Sequence, residues 1–178
     1  LEQAEALGAR VVDCAAETVE GSDLVFTCLP SNEVYAGVME DDLLPAAGKG
    51  QVFIALDTVI PEVIRGFAIR LRKKGAWLID APVTGGQWGA AEASLRMFVG
   101  GDREVVDQIR PVLATIAAAD RIVYCGESGA GEVVKGVNQL KMGLENAAHL
   151  EAIAYGLLNG VRASTLVDAF ASGGSSPD

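Results

Sequence analysis

The sequence is poor in the residues that build metal centres and hydrolytic triads. It contains a single histidine, His149, and three cysteines, Cys14, Cys28 and Cys125, none of them in a Cys-x-x-Cys pair. One histidine argues against a His-rich metal site, and no Ser and Asp stand at triad-like spacing around it. We therefore expect no metal. The odd, widely spaced cysteines predict buried, reduced thiols in a cytoplasmic protein.

Positive charge and long apolar runs are also scarce. Fourteen Lys and Arg stand against 24 Asp and Glu, which gives the 178-residue chain a formal net charge of -10. This charge opposes binding to nucleic acid or to an anionic membrane surface. No apolar run reaches the roughly 18 residues that a membrane span needs. With 50% hydrophobic residues, the composition predicts a soluble globular protein with neither nucleic acid nor membrane as a partner.

Short apolar runs alternate with helical patterns along the first two thirds of the chain. This alternation predicts an α/β fold with a doubly wound, mostly parallel sheet covered by helices on both faces. From residue 132 onward the pattern is helical, which predicts the start of an all-α domain. We place the domains at 1–127 and 128–178. The main expected strands are 10–12, 23–29, 51–56, 77–83, 95–99 and 121–124, and the main expected helices are 61–74, 102–118 and 132–158.

Ligands of open α/β sheets gather at the carboxyl ends of the strands, so residues that directly follow a strand are candidates for binding. Leu29 and Pro30 end the run at 23–29, and Thr58 follows the run at 51–56. Taken separately, each of these places is more typical of ordinary turn and cap chemistry.

A third place is the turn Thr84-Gly85-Gly86, which follows the expected strand 77–83. Adjacent glycines let the backbone approach a ligand closely and present successive amides to an anion such as a carboxylate. A wide connection that needs only glycine flexibility is an equally good interpretation of the turn by itself.

The glycine-rich segment 126–139 contains the candidate proton carrier, Lys135. If a helix begins near Gly131, Lys135 lies in its early turns and shares one face with Asn138 and Gln139. The helix dipole and burial would both lower the pKa of the ammonium toward a value useful near neutral pH. A solvated lysine on a surface helix is the commoner case, but the flanking valines argue against it here.

Two long motifs resemble those of the β-hydroxyacid dehydrogenases, the family of 3-hydroxyisobutyrate dehydrogenase and tartronate semialdehyde reductase. Residues 80–101, DAPVTGGQWGAAEASLRMFVGG, are similar to the family's substrate-binding segment D-A-P-V-S-G-G. Residues 126–139 are similar to its catalytic segment G-x-x-G-x-G-x-x-x-K-x-x-N. The Leu29-Pro30 turn and the Thr58-x-x-Pro61 turn precede both motifs, so the resemblance covers essentially the whole chain.

The resemblance implies an oxidoreductase that transfers a hydride between NAD or NADP and a small β-hydroxyacid or semialdehyde. It implies a Rossmann-like NAD(P)-binding domain at 1–127, without its first βαβ unit, and the start of a helical substrate and dimerisation domain at 128–178. The intact protein would be a homo-oligomer. The implied roles are general acid/base for Lys135, substrate orientation for Asn138, substrate binding for Thr84, Gly85, Gly86 and Gln139, and contact with the nicotinamide for Leu29, Pro30 and Thr58.

The chain departs from the family pattern at several places. Thr84 replaces the usual Ser and keeps its hydroxyl, whereas Asp57 stands where Ser is common and would add negative charge beside the cofactor. The family's glycine-rich phosphate loop, with the residue that selects NAD or NADP, does not precede Leu1, and family members continue past Asp178. The resemblance therefore implies a chain cut at both ends.

Two alternatives stay open from the sequence. One is a relative with different chemistry, such as an imine reductase or a 6-phosphogluconate-type dehydrogenase. The other is a non-catalytic or dimerising remnant of the family. The hydroxyacid and the choice between NAD and NADP are left open as well.

Overall fold

A computed structural model describes residues 2–172 and shows that the buried apolar runs form a six-stranded sheet. All four side chains of the second strand are buried, as expected for a strand with helices on both faces. The strands are β1 (Leu24–Thr27), β2 (Val52–Ala55), β3 (Trp77–Asp80), β4 (Val83–Thr84), β5 (Leu95–Gly100) and β6 (Ala117–Gly126).

The strands follow the order β1-β2-β3-β5-β4, and β6 also pairs with β5. Strands β1, β2 and β3 are parallel to one another, and β6 is parallel to β5. Strand β5 is antiparallel to the short β4 and, through the single pairing of Asp80 with Gly100, to β3, so β5 and β6 run opposite to β1, β2 and β3. The expected fold class, a Rossmann-like and mostly parallel sheet followed by a helical segment, is confirmed.

Local chemistry sets the ends of several helices. The Ser31 hydroxyl accepts a hydrogen bond from the Val34 amide, and the Asp102 carboxylate accepts the amides of two residues in the next turn. The helices are α1 (Glu2–Ala6), α2 (Asn32–Val38), α3 (Leu44–Ala46), α4 (Pro61–Lys73), α5 (Gly86–Ala91), α6 (Arg103–Leu113), α7 (Ala130–Leu158) and α8 (Ala163–Ser172), with a 3-10 turn at Ala15–Thr18 and a π turn at Met39–Leu43.

The core lies on both faces of the sheet. Successive residues of β2 point to opposite faces, so Phe53 belongs to one cluster and Ile54 to the other. The first cluster packs the sheet against α2 and α4, and the second packs it against α6. The sheet is therefore covered by helices on both faces, as the doubly wound pattern of the sequence predicted.

Several local expectations were wrong. Residues 10–12 form no strand, and the run 77–83 is split into β3 and β4 around Pro82, which has no amide to donate to a ladder. Helix α6 ends at Leu113, and the alanines from Ala117 onward lie in β6, because pairing with β5 outweighs the helical propensity of alanine.

The expected burial of the thiols was also wrong. Cys14 and Cys28 are exposed, and Cys125 is only partly buried. Cys14 directly precedes the 3-10 turn, and Cys28 directly follows β1. Both therefore lie outside the layers that bury the core.

The chain divides into two compact units, Leu1–Lys135 and Gly136–Asp178. In the second unit the remainder of α7 contacts α8. The ring of His149 lies edge-on to Phe170, with 6.0 Å between the centroids, so this histidine makes a packing contact. No helix among residues 2–172 combines the length and the hydropathy needed to cross a membrane.

The first turn of α7 packs directly on β3 and β5. A Cβ added at Gly131 would lie 2.4 Å from the Phe98 carbonyl oxygen and 2.8 Å from Asp80 Oδ2. A Cβ added at Gly100 would lie 2.6 Å from the Asp80 carboxylate oxygens. Glycine is therefore required at both positions, because the backbones approach too closely for a side chain.

The substitution Gly131→Ala should lower the free energy of unfolding by about 1–3 kcal/mol, because the new methyl overlaps fixed backbone. The control is Gly136→Ala on the same helix, where a Cβ meets nothing within 4 Å. This control should be neutral or stabilising by up to about 1 kcal/mol. Urea unfolding measures both, and equal effects at the two positions would contradict the packing described.

Candidate functional site

Asp80, the last residue of β3, fixes the start of α7. Its side chain is fully buried, with 0% exposure. Its Oδ1 accepts the Gly129 amide at 2.8 Å and its Oδ2 accepts the Glu132 amide at 3.1 Å. Amides at a helix N-terminus have no partner within the helix, so the carboxylate caps α7. Burial raises the pKa of Asp80, and these amides oppose that shift.

Lys135 lies in the second turn of α7 and is 7% exposed. Burial lowers the pKa of its ammonium, and the negative charge of Glu132 opposes that change. The interpretation as a solvated surface lysine therefore does not apply. A lowered pKa brings the lysine closer to the range in which it can give and take a proton, which is the direction expected of a general acid/base.

Glu132 is the functional candidate that the sequence reasoning missed. It is 3% exposed, and neither carboxyl oxygen has a hydrogen-bond partner among the described residues. Burial raises its pKa from the ordinary value of 4.5 to about 8, and the charges of Asp80 and Asp57 add to the shift. The nearby Val59 amide and the positive charge of Lys135 lower the pKa of Glu132 and so oppose this shift. Its spacing of three residues from Lys135 was the available signal.

Asp57 joins the ends of β1 and β2. It is 5% exposed, and its carboxylate accepts the Thr27 hydroxyl and the Leu29 amide. Sequence reasoning treated this residue as an added charge beside a cofactor. The structure shows a buried acid whose two oxygens each accept a hydrogen bond at the carboxyl edge of the sheet.

The residues expected to line the nicotinamide lie at that same edge. Strands β1 and β2 are parallel neighbours, so the segments that follow them emerge side by side. The Asn32 side chain accepts the Ile60 amide at 2.7 Å and so links the two segments. Leu29 is half-buried, whereas Pro30 and Thr58 are exposed. Two apolar groups and one hydroxyl, with the nearby acid buried, fit the face of a planar heterocycle such as nicotinamide.

The turn expected to hold a carboxylate follows β3 by way of β4. Thr84 pairs with Arg96 of β5, and Gly85 and Gly86 are exposed. Their φ angles of 135° and 63° lie in the left-handed region, which glycine adopts without strain. The Phe98 carbonyl of the same strand β5 lies close to Gly131 at the start of α7, so β5 contacts both motifs of the sequence.

Asn138 and Gln139 lie three and four residues beyond Lys135 on α7, in the second unit. The Asn138 amide nitrogen lies 3.5 Å from Gln139 Oε1 and 3.5 Å from Met142 Sδ. The structure thus groups Lys135 with Glu132 and Asp80, and it groups Leu29, Pro30 and Thr58 separately at the sheet edge. The roles of all these residues stay predictions.

Residues 1–126 match the family described as the NAD binding domain of 6-phosphogluconate dehydrogenase. The chain belongs to this family. An NAD-dependent L-serine dehydrogenase of Pseudomonas aeruginosa is 33% identical over 165 residues, which cover 92% of this chain and 55% of that protein. A 3-hydroxyisobutyrate dehydrogenase of the same organism is 34% identical over 174 residues, or 94% of this chain and 57% of that protein.

A solved structure of Mycobacterium tuberculosis 3-hydroxyisobutyrate dehydrogenase with L-serine has the same fold. The two structures match with a TM-score of 0.87 and 33% sequence identity. The match covers 99% of this chain and 60% of the M. tuberculosis chain. The chain therefore spans little more than half the length of these relatives. The resemblance to dinucleotide-dependent β-hydroxyacid dehydrogenases that the motifs indicated is confirmed.

The Glu132 carboxyl makes stability depend on pH. Its pKa is higher in the folded state, so its contribution to stability is complete below about pH 4.5 and is lost as the pH rises to about 8. Glu132→Gln cannot titrate. We expect the fall in unfolding free energy between pH 5.5 and pH 8.5 to be smaller in this variant by about 2–4 kcal/mol.

Urea unfolding at the two pH values tests this expectation. The control is Glu127→Gln, which changes an exposed carboxyl just before α7 and should keep the pH dependence of the parent. An unchanged pH dependence in Glu132→Gln would show that the carboxyl ionises normally in the folded protein.

Proposed function

We propose that this chain is part of an NAD(P)-dependent oxidoreductase acting on a small β-hydroxyacid or semialdehyde, of the 3-hydroxyisobutyrate or tartronate semialdehyde type. The observation that carries the proposal is the burial of Lys135 at the start of α7, held there by Asp80. The relatives described above are named as dehydrogenases of hydroxyacids, and this supports the same class of reaction.

Lys135 is the general acid/base of the proposed reaction. In the reducing direction its ammonium donates a proton to the substrate's carbonyl oxygen. In the oxidising direction its neutral amine accepts the proton of the substrate's hydroxyl. Burial lowers the pKa of the ammonium, which makes the neutral amine easier to reach than in an ordinary lysine. When bound, the nicotinamide supplies or accepts the hydride.

The remaining proposed roles concern placement. The Thr84 hydroxyl and the amides of Gly85 and Gly86 hold the substrate's carboxylate, since exposed glycine amides in a turn bind anions. Asn138 orients the substrate and Gln139 adds to its binding. The nicotinamide lies against Leu29, Pro30 and Thr58, whose segments are linked at the sheet edge.

We further propose that residues 1–127 belong to the dinucleotide-binding domain and that 128–178 begin the helical domain. The match of residues 1–126 to the NAD-binding family supports this boundary. Homo-oligomeric assembly and a cytoplasmic location stay predictions.

In the complete protein, Lys135→Ala should lower kcat by at least about a hundredfold, because general acid/base catalysis contributes about 10²–10⁴-fold. The affinity for NAD or NADP should change little. Turnover of 3-hydroxyisobutyrate and of tartronate semialdehyde, with each cofactor, measures the first effect, and calorimetric titration with the cofactor measures the second.

Lys135→Met removes the amine but keeps an unbranched apolar side chain, so it separates the loss of the proton carrier from a loss of packing. Lys141→Ala is the matched control, because Lys141 lies on the same helix but is exposed and paired with Glu145 at 2.9 Å. Unchanged turnover in both Lys135 variants would refute the assigned role. A complete protein that binds neither dinucleotide would instead be a non-catalytic remnant.

A further inference from the structure

Two arginines lie beside the turn assigned to the substrate's carboxylate. They line a cleft of about 390 Å³. That volume is in the range of small-ligand sites and exceeds the space that a single carboxylate needs. The lining residues are Thr84, Gly85, Gly89, Ser94, Arg96 and Arg121.

Sheet pairing brings the two arginines together. Arg96 pairs with Thr84 across β4 and β5. Strand β5 is parallel to β6, and Met97 pairs with Ile122. The ladder is irregular between Leu95 and Met97, so Arg96 and Arg121 are not a regular cross-strand pair, but both line the same cleft. Met97 and Ile122 belong to the core, whereas both arginines are exposed.

The positive charge of this pair is not balanced by the protein. Among the described side chains, those of residues 4–170, no carboxylate lies at ion-pair distance from Arg96 or Arg121, although other exposed arginines, such as Arg70 and Arg103, have one. The polar contact of Arg121 is with the Ser94 carbonyl, at 3.3 Å. Two guanidinium groups without a carboxylate partner therefore line one cleft, in a chain whose net charge is -10. A bound anion would neutralise this local positive charge.

We propose that the cleft binds a second oxyanion group of the substrate, so that the preferred substrates are β-hydroxyacids or semialdehydes carrying two acidic groups. The Thr84-Gly85-Gly86 turn holds one carboxylate, and the guanidinium groups of Arg96 and Arg121 hold the other group, a carboxylate or a phosphonate. Arginine suits this task because its planar fork donates two parallel hydrogen bonds to such groups. The inference rests on the proposed function for the assignment of the turn.

Three matched substrates test the inference in the complete protein. They are 2-(hydroxymethyl)propanoate, with one acidic group, 2-(hydroxymethyl)butanedioate, in which a carboxylate is added, and 2-(hydroxymethyl)-3-phosphonopropanoate, in which a phosphonate is added. We expect kcat/KM to be at least about tenfold higher for one of the two diacids, since a charge-assisted hydrogen bond contributes that much or more. Which diacid is preferred identifies the second group.

Arg96→Ala and Arg121→Ala should each lower the ratio of diacid to monoacid kcat/KM by about 10–100-fold, mainly through KM. Arg103→Ala, an exposed arginine on α6, should leave the ratio unchanged. Calorimetric titration with both diacids, without cofactor, gives a second readout that does not depend on turnover, and the two arginine variants should weaken that binding similarly.

A ratio near one that neither arginine variant alters, together with diacid binding that neither variant weakens, would overturn the inference. A protein that turns over none of the acids but binds a diacid in an Arg96-dependent manner would keep the anion site and refute the proposed function. The two failures are therefore distinguishable.

Discussion

The contact between the Asp80 carboxylate and the first amides of α7 is the constraint on which the rest of the site depends. It attaches a helix to the carboxyl edge of the sheet at a fully buried point. Gly100 and Gly131 leave room for that contact, because a Cβ at either would overlap the carboxylate. The position of Lys135 follows, since it lies in the second turn of the helix that Asp80 caps.

The same constraint concentrates acidic groups around one lysine. Asp57 and Asp80 accept hydrogen bonds from neighbouring groups, whereas Glu132 has no partner among the described residues. The hydroxyl of the fully buried Tyr35 also lacks a partner there, and burial together with the three carboxyls raises its pKa. Unsatisfied buried groups of this kind destabilise a fold, and they accumulate where function requires a particular electrostatic environment.

Sequence patterns predicted most of the fold because burial and periodicity are local properties. The strands β1 and β2 lie within the apolar runs at 23–29 and 51–56. The burial of Lys135 was expected from the flanking valines, although Val133 and Val137 are themselves 45% and 63% exposed. Contacts between distant segments were not predictable. Asp80 finds its partners 49 and 52 residues away, and Arg96 and Arg121 share a cleft because β5 and β6 are neighbouring strands. The exposure of Cys14 and Cys28 also depends on the tertiary structure, because both lie just outside the packed layers.

The central claim is that Lys135 is buried at the capped start of α7 and loses its proton more readily than an ordinary lysine. The most direct measurement is the pH dependence of lysine labelling by acetic anhydride, read residue by residue by mass spectrometry. We predict that Lys135 titrates below the ordinary lysine pKa of 10.5. Titration of Lys135 at or above that value would contradict the account.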